Sequence, residues 1–326
     1  MLKYLLAFTI PGSVYLSLIF DGALCWLAVV YAYAFIPLLE MGIGVPESTN
    51  EKTQAQVANP FFFNGLLYLT PFIQGFLIFT FLNHFSMENP IEAFAKILAL
   101  GISCGVIGIN VGHELGHRKS LSERLIAIFL LSTSLYSHFY IEHNKGHHRH
   151  VATPSDSATA RLGENLYSFI LRSMVGSFTS AWHLDKPVFL LTQAFQLSCL
   201  ILIALNWGAA PTLGFLAAAI FGGVNLEVVN YIEHYGLLRK VNPSGRYEKV
   251  APRHSWNSNH PIGRSILFEL SRHSDHHAYV AKPYYKLENN EEGPQLPAGY
   301  PGMMVLATIP PLFFKVMNPL VKKYSL

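Results

Sequence analysis

The sequence predicts an all-α integral membrane protein, a bundle of six transmembrane helices with a histidine-rich cap on the cytoplasmic side. Three observations carry the architecture. Hydrophobic residues make up 51% of the 326 and charged residues only 13%, against roughly 25% charged residues in a soluble domain. Six apolar stretches approach the ~20 residues that cross a ~30 Å hydrocarbon core. Fifteen histidines, most of them in four short windows, are more than an apolar bundle needs. The mean hydropathy of +0.30 excludes a disordered chain, a coiled coil and most soluble two-domain enzymes. Cys25, Cys104 and Cys199 sit singly in apolar runs, which excludes a disulfide framework and a self-contained iron–sulfur or zinc–thiolate centre.

The spans run over residues 4–20, 23–43, 61–82, 94–111, 188–205 and 213–232. The first is short and holds Pro11, which a spanning helix tolerates where neighbours satisfy the freed backbone groups. With Lys3 it also has the look of a signal peptide, but a second span follows at once and no small-x-small cleavage site is evident. Asp21-Gly22 makes a tight turn into the second span, and residues 206–212 do the same between spans five and six. Span four carries Gly101, Gly105, Gly108 and Gly112; small residues at this spacing inside an apolar helix suit close helix packing rather than a nucleotide.

Segment 125–141 is apolar but contains Ser132, Thr133, Ser134, Ser137 and His138. A full span there would separate two histidine windows that need one compartment, so it reads as a peripheral or in-plane helix. Residues 303–313 are too short to span and are broken by Pro310-Pro311, which places them on the interface. The chain is thus one membrane domain: 1–112 hold the first four spans, 113–187 histidine windows, 188–232 a transmembrane hairpin and 233–326 a cap. With the amino terminus inside, the outer face carries −2, from Asp21, Glu88 and Glu92 against Lys96. The net +3 then leaves +5 inside, as the positive-inside rule requires.

The first window, His113-Glu-Leu-Gly-His117, closes span four; i, i+4 spacing puts both rings on one helical face. The second, Glu142-His143-Asn-Lys-Gly-His147-His148, repeats that spacing and adds an adjacent ring. Asn230-Tyr-Ile-Glu-His234-Tyr-Gly236 supplies a single histidine at the inner end of span six. Arg272-His273-Ser-Asp-His276-His277 sets three rings at i, i+3 and i+4 in the cap. Neutral imidazole suits Zn, Fe, Cu and Ni, and one ion takes about four to six ligands. Nine rings therefore point to two ions with positions left for oxygen or water. Each ring needs a partner on its other nitrogen, and Glu114, Glu142, Asp156, Glu233 and Asp275 are the nearby acceptors.

A lone histidine at a helix–water boundary is ordinarily a surface residue, and His84, His138, His150, His183, His254 and His260 read that way. Four windows converging on one membrane face do not. His113-Glu-Leu-Gly-His117 also matches the H-E-x-x-H helix of zinc proteases, with Glu114 as general base, but that leaves most of the other rings unused. The soluble di-iron carboxylate pattern is met only by Glu114 and His117. A histidine-only di-iron site remains.

These windows resemble those of the membrane-bound alkane monooxygenases, within the larger membrane desaturase and hydroxylase superfamily and its H-x(3–4)-H, H-x(2–3)-HH and H-x(2–3)-HH boxes. Asn230–Gly236, Arg246-Tyr247, the 254–260 and 294–302 stretches and Ala152-Thr-Pro-Ser-Asp156 resemble the alkane hydroxylase branch in particular. The resemblance covers most of the chain from span four onward. It implies two iron ions held by His113, His117, His143, His147, His148, His234, His273, His276 and His277. It further implies terminal hydroxylation of alkanes with O2, electrons from rubredoxin and its reductase, and a bacterial inner membrane with both termini and the irons cytoplasmic. Rival activities are hydroxylation of aromatic methyl groups as in xylene monooxygenase, fatty-acyl desaturation, and an intramembrane zinc protease; nothing points to nucleic acid.

No G-x-G-x-x-G follows a predicted strand and no cysteines cluster, in keeping with a separate electron carrier. Arg118, Lys119, Arg124, Lys145, Arg149, Arg239 and Lys240 suit an acidic one, and serve equally as topology signals. In the family a bulky side chain partway along span two limits substrate length. Anchoring on Pro37-Leu-Leu-Glu40 places Ala32 there, with Trp26 further out, which implies a channel open to longer alkanes.

Overall fold

The computed structural model describes residues 2–45, 59–290 and 293–324. Six helices among them are long and apolar enough to cross a membrane, matching the predicted spans: α1 (Leu2–Ile19), α2 (Gly22–Ile43), α3 (Pro60–His84), α4 (Pro90–Gly116), and later α8 (Lys186–Trp207) and α9 (Ala209–His234). Between α4 and α8 lie α5 (Leu121–Ser132), α6 (residues 138–150) and α7 (Leu166–Leu184). The cap adds α10 (Pro261–Ile266), α11 (His273–Ala278), α12 (Tyr300–Ala307) and α13 (Pro310–Tyr324). No strand occurs among the described residues. The protein is an all-helical, multi-pass membrane protein.

Local chemistry starts the helices where they start. Asn59 accepts from Phe61 N ahead of Pro60, Asn89 from Ile91 N and Glu92 N ahead of Pro90, and Asp185 from Val188 N ahead of Pro187. Each pairs a capping side chain with a proline in the first turn. The turn glycines Gly22 and Gly208 take φ of 62° and 78°, a left-handed conformation that favours glycine.

Three contacts gather the connectors predicted to face outward at one end of the bundle. Lys96 Nζ lies 2.7 Å from Asp21 Oδ1, Gly22 N donates to Glu92 Oε1 at 2.9 Å, and Trp207 Nε1 donates to Asn83 Oδ1 at 3.3 Å. The opposite end carries the histidines and the cap. There Lys3 pairs with Glu269 at 2.6 Å, and Tyr324 stacks edge-on against Trp256. Both ends of the described chain therefore sit on the histidine side.

α4 runs through the centre, and its glycines face neighbouring helices as expected. A Cβ on Gly101 would come within 2.6 Å of Phe221 Cδ1 and 2.8 Å of Ala218 O, both on α9. A Cβ on Gly108 or Gly112 would stand 2.9 Å from Ser134 Oγ or Leu131 Cγ, respectively. Backbones this close exclude any larger side chain.

The structure corrects the in-plane reading of 125–141. The turn after α5 reaches the middle of the bundle: Ser134 Oγ donates to Cys104 O at 3.0 Å, and Ser137 N donates to Gln196 Oε1 at 2.7 Å. Cys104 is nine residues from His113 on α4, about 14 Å at 1.5 Å per residue, and Gln196 is ten residues into α8. The segment is re-entrant. Non-helical backbone is tolerated at that depth only when protein groups satisfy it, and α4 and α8 provide them, through Cys104 Sγ at Thr133 O and Gln196 at Ser137 N. Gln193 Nε2 donates to Ser137 Oγ at 3.2 Å, and Ser103 Oγ to Gln74 Oε1 at 2.6 Å nearby. Leu135, at φ 51°, reverses the chain so that it returns to the same face.

α7 has no counterpart in the sequence reading. In the last segment the predicted break is present, between α12 and α13 at Thr308–Ile309, but α13 then continues for fifteen residues. Phe313, Met317 and Val321 are buried at a four-residue spacing. Phe313 stacks on Tyr231 at 5.0 Å, and Tyr235 donates from its hydroxyl to Asn318 Oδ1 at 2.7 Å, so the helix clasps the carboxy-terminal end of α9.

Candidate metal centre and substrate cavity

All nine window histidines converge at the carboxy-terminal ends of α4 and α9, and among the described residues they fall into two groups. His113, His117, His143, His148 and His276 form one; His147, His234, His273 and His277 form the other, with one nitrogen per ring lying within 4.8 Å of the rest in each group. The expected i, i+4 grouping holds for His113 with His117 and for His273 with His277, and fails in the second window, where His143 and His147 are split. α6 makes a π-helical turn at His143–His147, a distortion common at functional sites. His148 then faces His143, Nε2 to Nε2 at 2.9 Å, while His147 turns toward His277 at 3.2 Å. In α11, His276 approaches His113 at 3.0 Å, whereas His273 and His277 join the other group.

The donor set fits metal ions and fits nothing else well. A ring nitrogen carries one N–H or one lone pair. His277 Nε2 lies 2.9 Å from His273 Nε2 and 3.2 Å from His147 Nε2, and His273 Nε2 is also 3.1 Å from His234 Nε2. Four such nitrogens make at most two full hydrogen bonds among these three contacts, whereas a cation among the lone pairs accounts for all three. Ligands at ~2.1 Å and right angles stand about 3.0 Å apart, close to the spacings found. Both ring nitrogens of His117 are also buried and unpartnered.

Electrostatics agree. Burial drives His117 down to about 4. Burial, then neighbouring rings, holds His143, His148, His273, His276 and His277 well below the ordinary imidazole value. They are neutral at pH 7, as ligation requires. His147 differs. Burial lowers it, but the Asp156 carboxylate outweighs that and holds it above the ordinary value.

The five carboxylates divide. Asp156 accepts from His147 Nδ1 at 3.0 Å, Thr159 Oγ1 at 2.6 Å and Ala158 N at 3.1 Å. Glu233 Oε1 lies 3.3 Å from His273 Nδ1. Glu142 is buried against the second window: a Cβ on Gly146 would come within 2.6 Å of its Oε1, which explains the glycine there. Burial and then Asp156 push its carboxyl up. The other two face away from the rings. Glu114 accepts from Arg118 Nη2 at 2.6 Å and Tyr284 N at 3.2 Å, so it ties α4 to the cap and is not placed as a free general base. Asp275 accepts from Lys282 Nζ at 2.7 Å and Glu288 N at 2.9 Å, fastening the loop after α11.

A cavity opens beside both groups, lined by His113, His143 and His273 at one end and apolar residues of α1, α2, α4 and α9 beyond. Ala32 lines it, whereas Trp26 packs edge-on against Phe94 and is not among the lining residues. The sequence reading missed Tyr33, Asn110, Asn225 and Asn230 in the lining; the signal available was an amide or hydroxyl inside an otherwise apolar span. Of the histidines read as surface residues, His138 and His254 are buried; His254 pairs with Glu248 at 3.0 Å, and His260 pairs with Ser258 at 2.9 Å.

Fold and site together define the class: the chain belongs to the fatty acid desaturase family, whose sequence model matches residues 90–307, from the start of α4 through α12. Within that class it is one of the alkane 1-monooxygenases. It is 39% identical to alkane 1-monooxygenase 2 of Alcanivorax borkumensis over 92% of this chain and 83% of that one. It is 36% identical to alkane 1-monooxygenase 2 of Pseudomonas aeruginosa over 97% and 89%. The xylene/toluene monooxygenase hydroxylase component XylM of Pseudomonas putida is 28% identical over 97% and 87%.

Proposed function

We infer that the protein hydroxylates the terminal carbon of alkanes with O2 at a histidine-held di-iron centre, on the cytoplasmic side of a bacterial inner membrane. The observation that carries this is the cavity, an apolar passage ending against rings of both histidine groups. His113, His117, His143, His148 and His276 would hold one iron, and His147, His234, His273 and His277 the other. When bound, the irons supply the oxidising power an unactivated C–H bond demands. One oxygen atom enters that bond; the other leaves as water with two protons and two electrons.

The chain's own residues do the rest. Ile36, Ile102, Ile109 and Val229 keep the passage dry and admit an oily molecule. The neutral rings donate lone pairs, and Asp156 and Glu233 orient His147 and His273. The electrons come from rubredoxin, reduced by its reductase, because no redox motif occurs in the sequence; the basic excess at the histidine end supports docking of an acidic carrier and a cytoplasmic location.

Membranes supplied with octane or hexadecane, rubredoxin and rubredoxin reductase should yield 1-alkanols, and metal analysis should return two irons per chain. One zinc per chain, with activity independent of O2, would overturn the reading. Hydroxylation of aromatic methyl groups is the second reading, favoured by the likeness to XylM; xylene as the better substrate would select it.

A further inference from the structure

His234 is the single ring that α9 contributes to the four-ring group, so no helical neighbour fixes its distance to the other three. Nor does a carboxylate aim it, as Asp156 and Glu233 aim His147 and His273. Its Nδ1 is buried without a hydrogen bond, and the polar group beside the ring is the His254 backbone. The place of the ring is therefore set by the main chain around it. At the carboxy-terminal end of a helix the carbonyls lack intrahelical partners, and here Trp256 takes two of them. Its N–H donates to Glu233 O at 2.8 Å and its indole Nε1 to Tyr235 O at 2.9 Å. One residue thus grips the chain on both sides of His234. The indole is fully buried and is covered edge-on by Tyr324 at 5.6 Å.

The next residue reaches α11. Asn257 Oδ1 accepts from Ser274 N at 2.8 Å, and Asn257 Nδ2 donates to Ser274 Oγ at 2.5 Å. A backbone N–H can only donate, which fixes the orientation of the amide. Ser274 directly follows His273, whose Nε2 stands 3.1 Å from His234 Nε2. Asn257 is itself held, with its N donating to Pro294 O at 2.8 Å and its O accepting from Leu296 N at 2.7 Å. A buried polar network with every member satisfied is rigid. Gly293 lies over it, where a Cβ would stand 2.8 Å from Asn257 Nδ2 and 3.2 Å from Ser274 Oγ.

We propose that Trp256 and Asn257 are positioning residues for the four-ring group, a two-residue template that sets His234 of α9 against His273 of α11. This rests on the two-ion reading above and assigns the dipeptide to one of the ions. Joined by one planar peptide, the two grips cannot shift independently. The five-ring group needs no such template, because α4 and α6 each supply two of its rings from a single helix.

The test is metal retention by the iron-loaded full chain in detergent, counted as ions per chain against rising chelator. Trp256→Phe keeps the main-chain N–H and an aromatic ring against Tyr324 but loses the indole donor. Asn257→Leu loses both contacts to Ser274, and Gly293→Ala presses on them without removing a hydrogen-bonding group. Circular dichroism before chelation checks that each variant is folded. Each is expected to release one ion at about 10- to 100-fold less chelator than the wild type, with the other ion held as before. His117→Ala loosens the five-ring group, so combining it with Trp256→Phe should release both ions early. Three results overturn the inference: both ions leaving together in the single variants, retention equal to wild type in all of them, or a double variant that still holds one ion as the wild type does. A wild type that holds one zinc per chain overturns the two-ion reading and the inference with it.

Discussion

Asp156 and His147 meet at 3.0 Å, carboxylate Oδ2 to ring Nδ1, with side-chain exposures of 0% and 1%. The bond fixes the ring so that its Nε2 carries the lone pair facing His277. Thr159 and Ala158 in turn fix the carboxylate. Asp156→Ala is expected to weaken metal retention about 10- to 100-fold, read as metal lost under chelator competition. An unchanged competition curve would show that the ring needs no such support.

Glu269 collects Lys3, Tyr4, Arg264 and Arg272 around one buried carboxylate. It does so from a left-handed backbone, φ 59°, a strain that its partners must offset. Glu269→Gln leaves buried cations without their counter-charge and should destabilise by about 3–5 kcal/mol, measured as thermal unfolding in detergent.

The same residue sets an acid limit. Burial raises its pKa, but Arg272, Arg264 and Lys3 more than reverse this and bring it to about 2, against an ordinary 4.5. The folded value is the lower one, so this contribution is full above pH 4.5 and is lost as pH falls toward 2. Unfolding midpoints should decline over that window in the wild type and show less dependence there in Glu269→Gln.

Gln196→Leu tests the re-entrant turn. It removes the acceptor of Ser137 N and the amide that donates to Gln193 Oε1 at 3.1 Å. Leaving a backbone N–H unmet at that depth should cost about 1–3 kcal/mol, with hydrogen exchange rising first at residues 133–137. Equal exchange in both proteins would mean that Ser137 finds another partner.

Ala32→Trp fills the cavity wall on α2. Overpacking there should lower hexadecane turnover about tenfold relative to octane. An unaltered chain-length profile would place the substrate elsewhere.

Hydropathy made the six spans legible, because ~20 apolar residues have few uses besides crossing a membrane. The histidines were legible as a set because nine rings in four windows have no packing rationale. Their division was not, because the π-helical turn at His143–His147 depends on tertiary fit and leaves no mark in the residue spacing. α7 was missed because its polar and apolar residues are mixed, and the depth of the 132–137 turn depends on Gln193 and Gln196, more than fifty positions away. Adjacency in sequence suggested Glu114 and Asp275 as ring partners, yet helical geometry points neighbours of a ligand away from it.

His147 and His148 are consecutive, as are His276 and His277, and in each pair the two rings serve different groups. Consecutive Cα atoms stand 3.80 Å apart across a rigid peptide, so these two dipeptides act as covalent spacers between the groups. Neither group can drift from the other, and a ring lost from one has no understudy, because its neighbour is already committed across the gap. Insertion or deletion of a single residue in either stretch would exchange the roles of both rings at once.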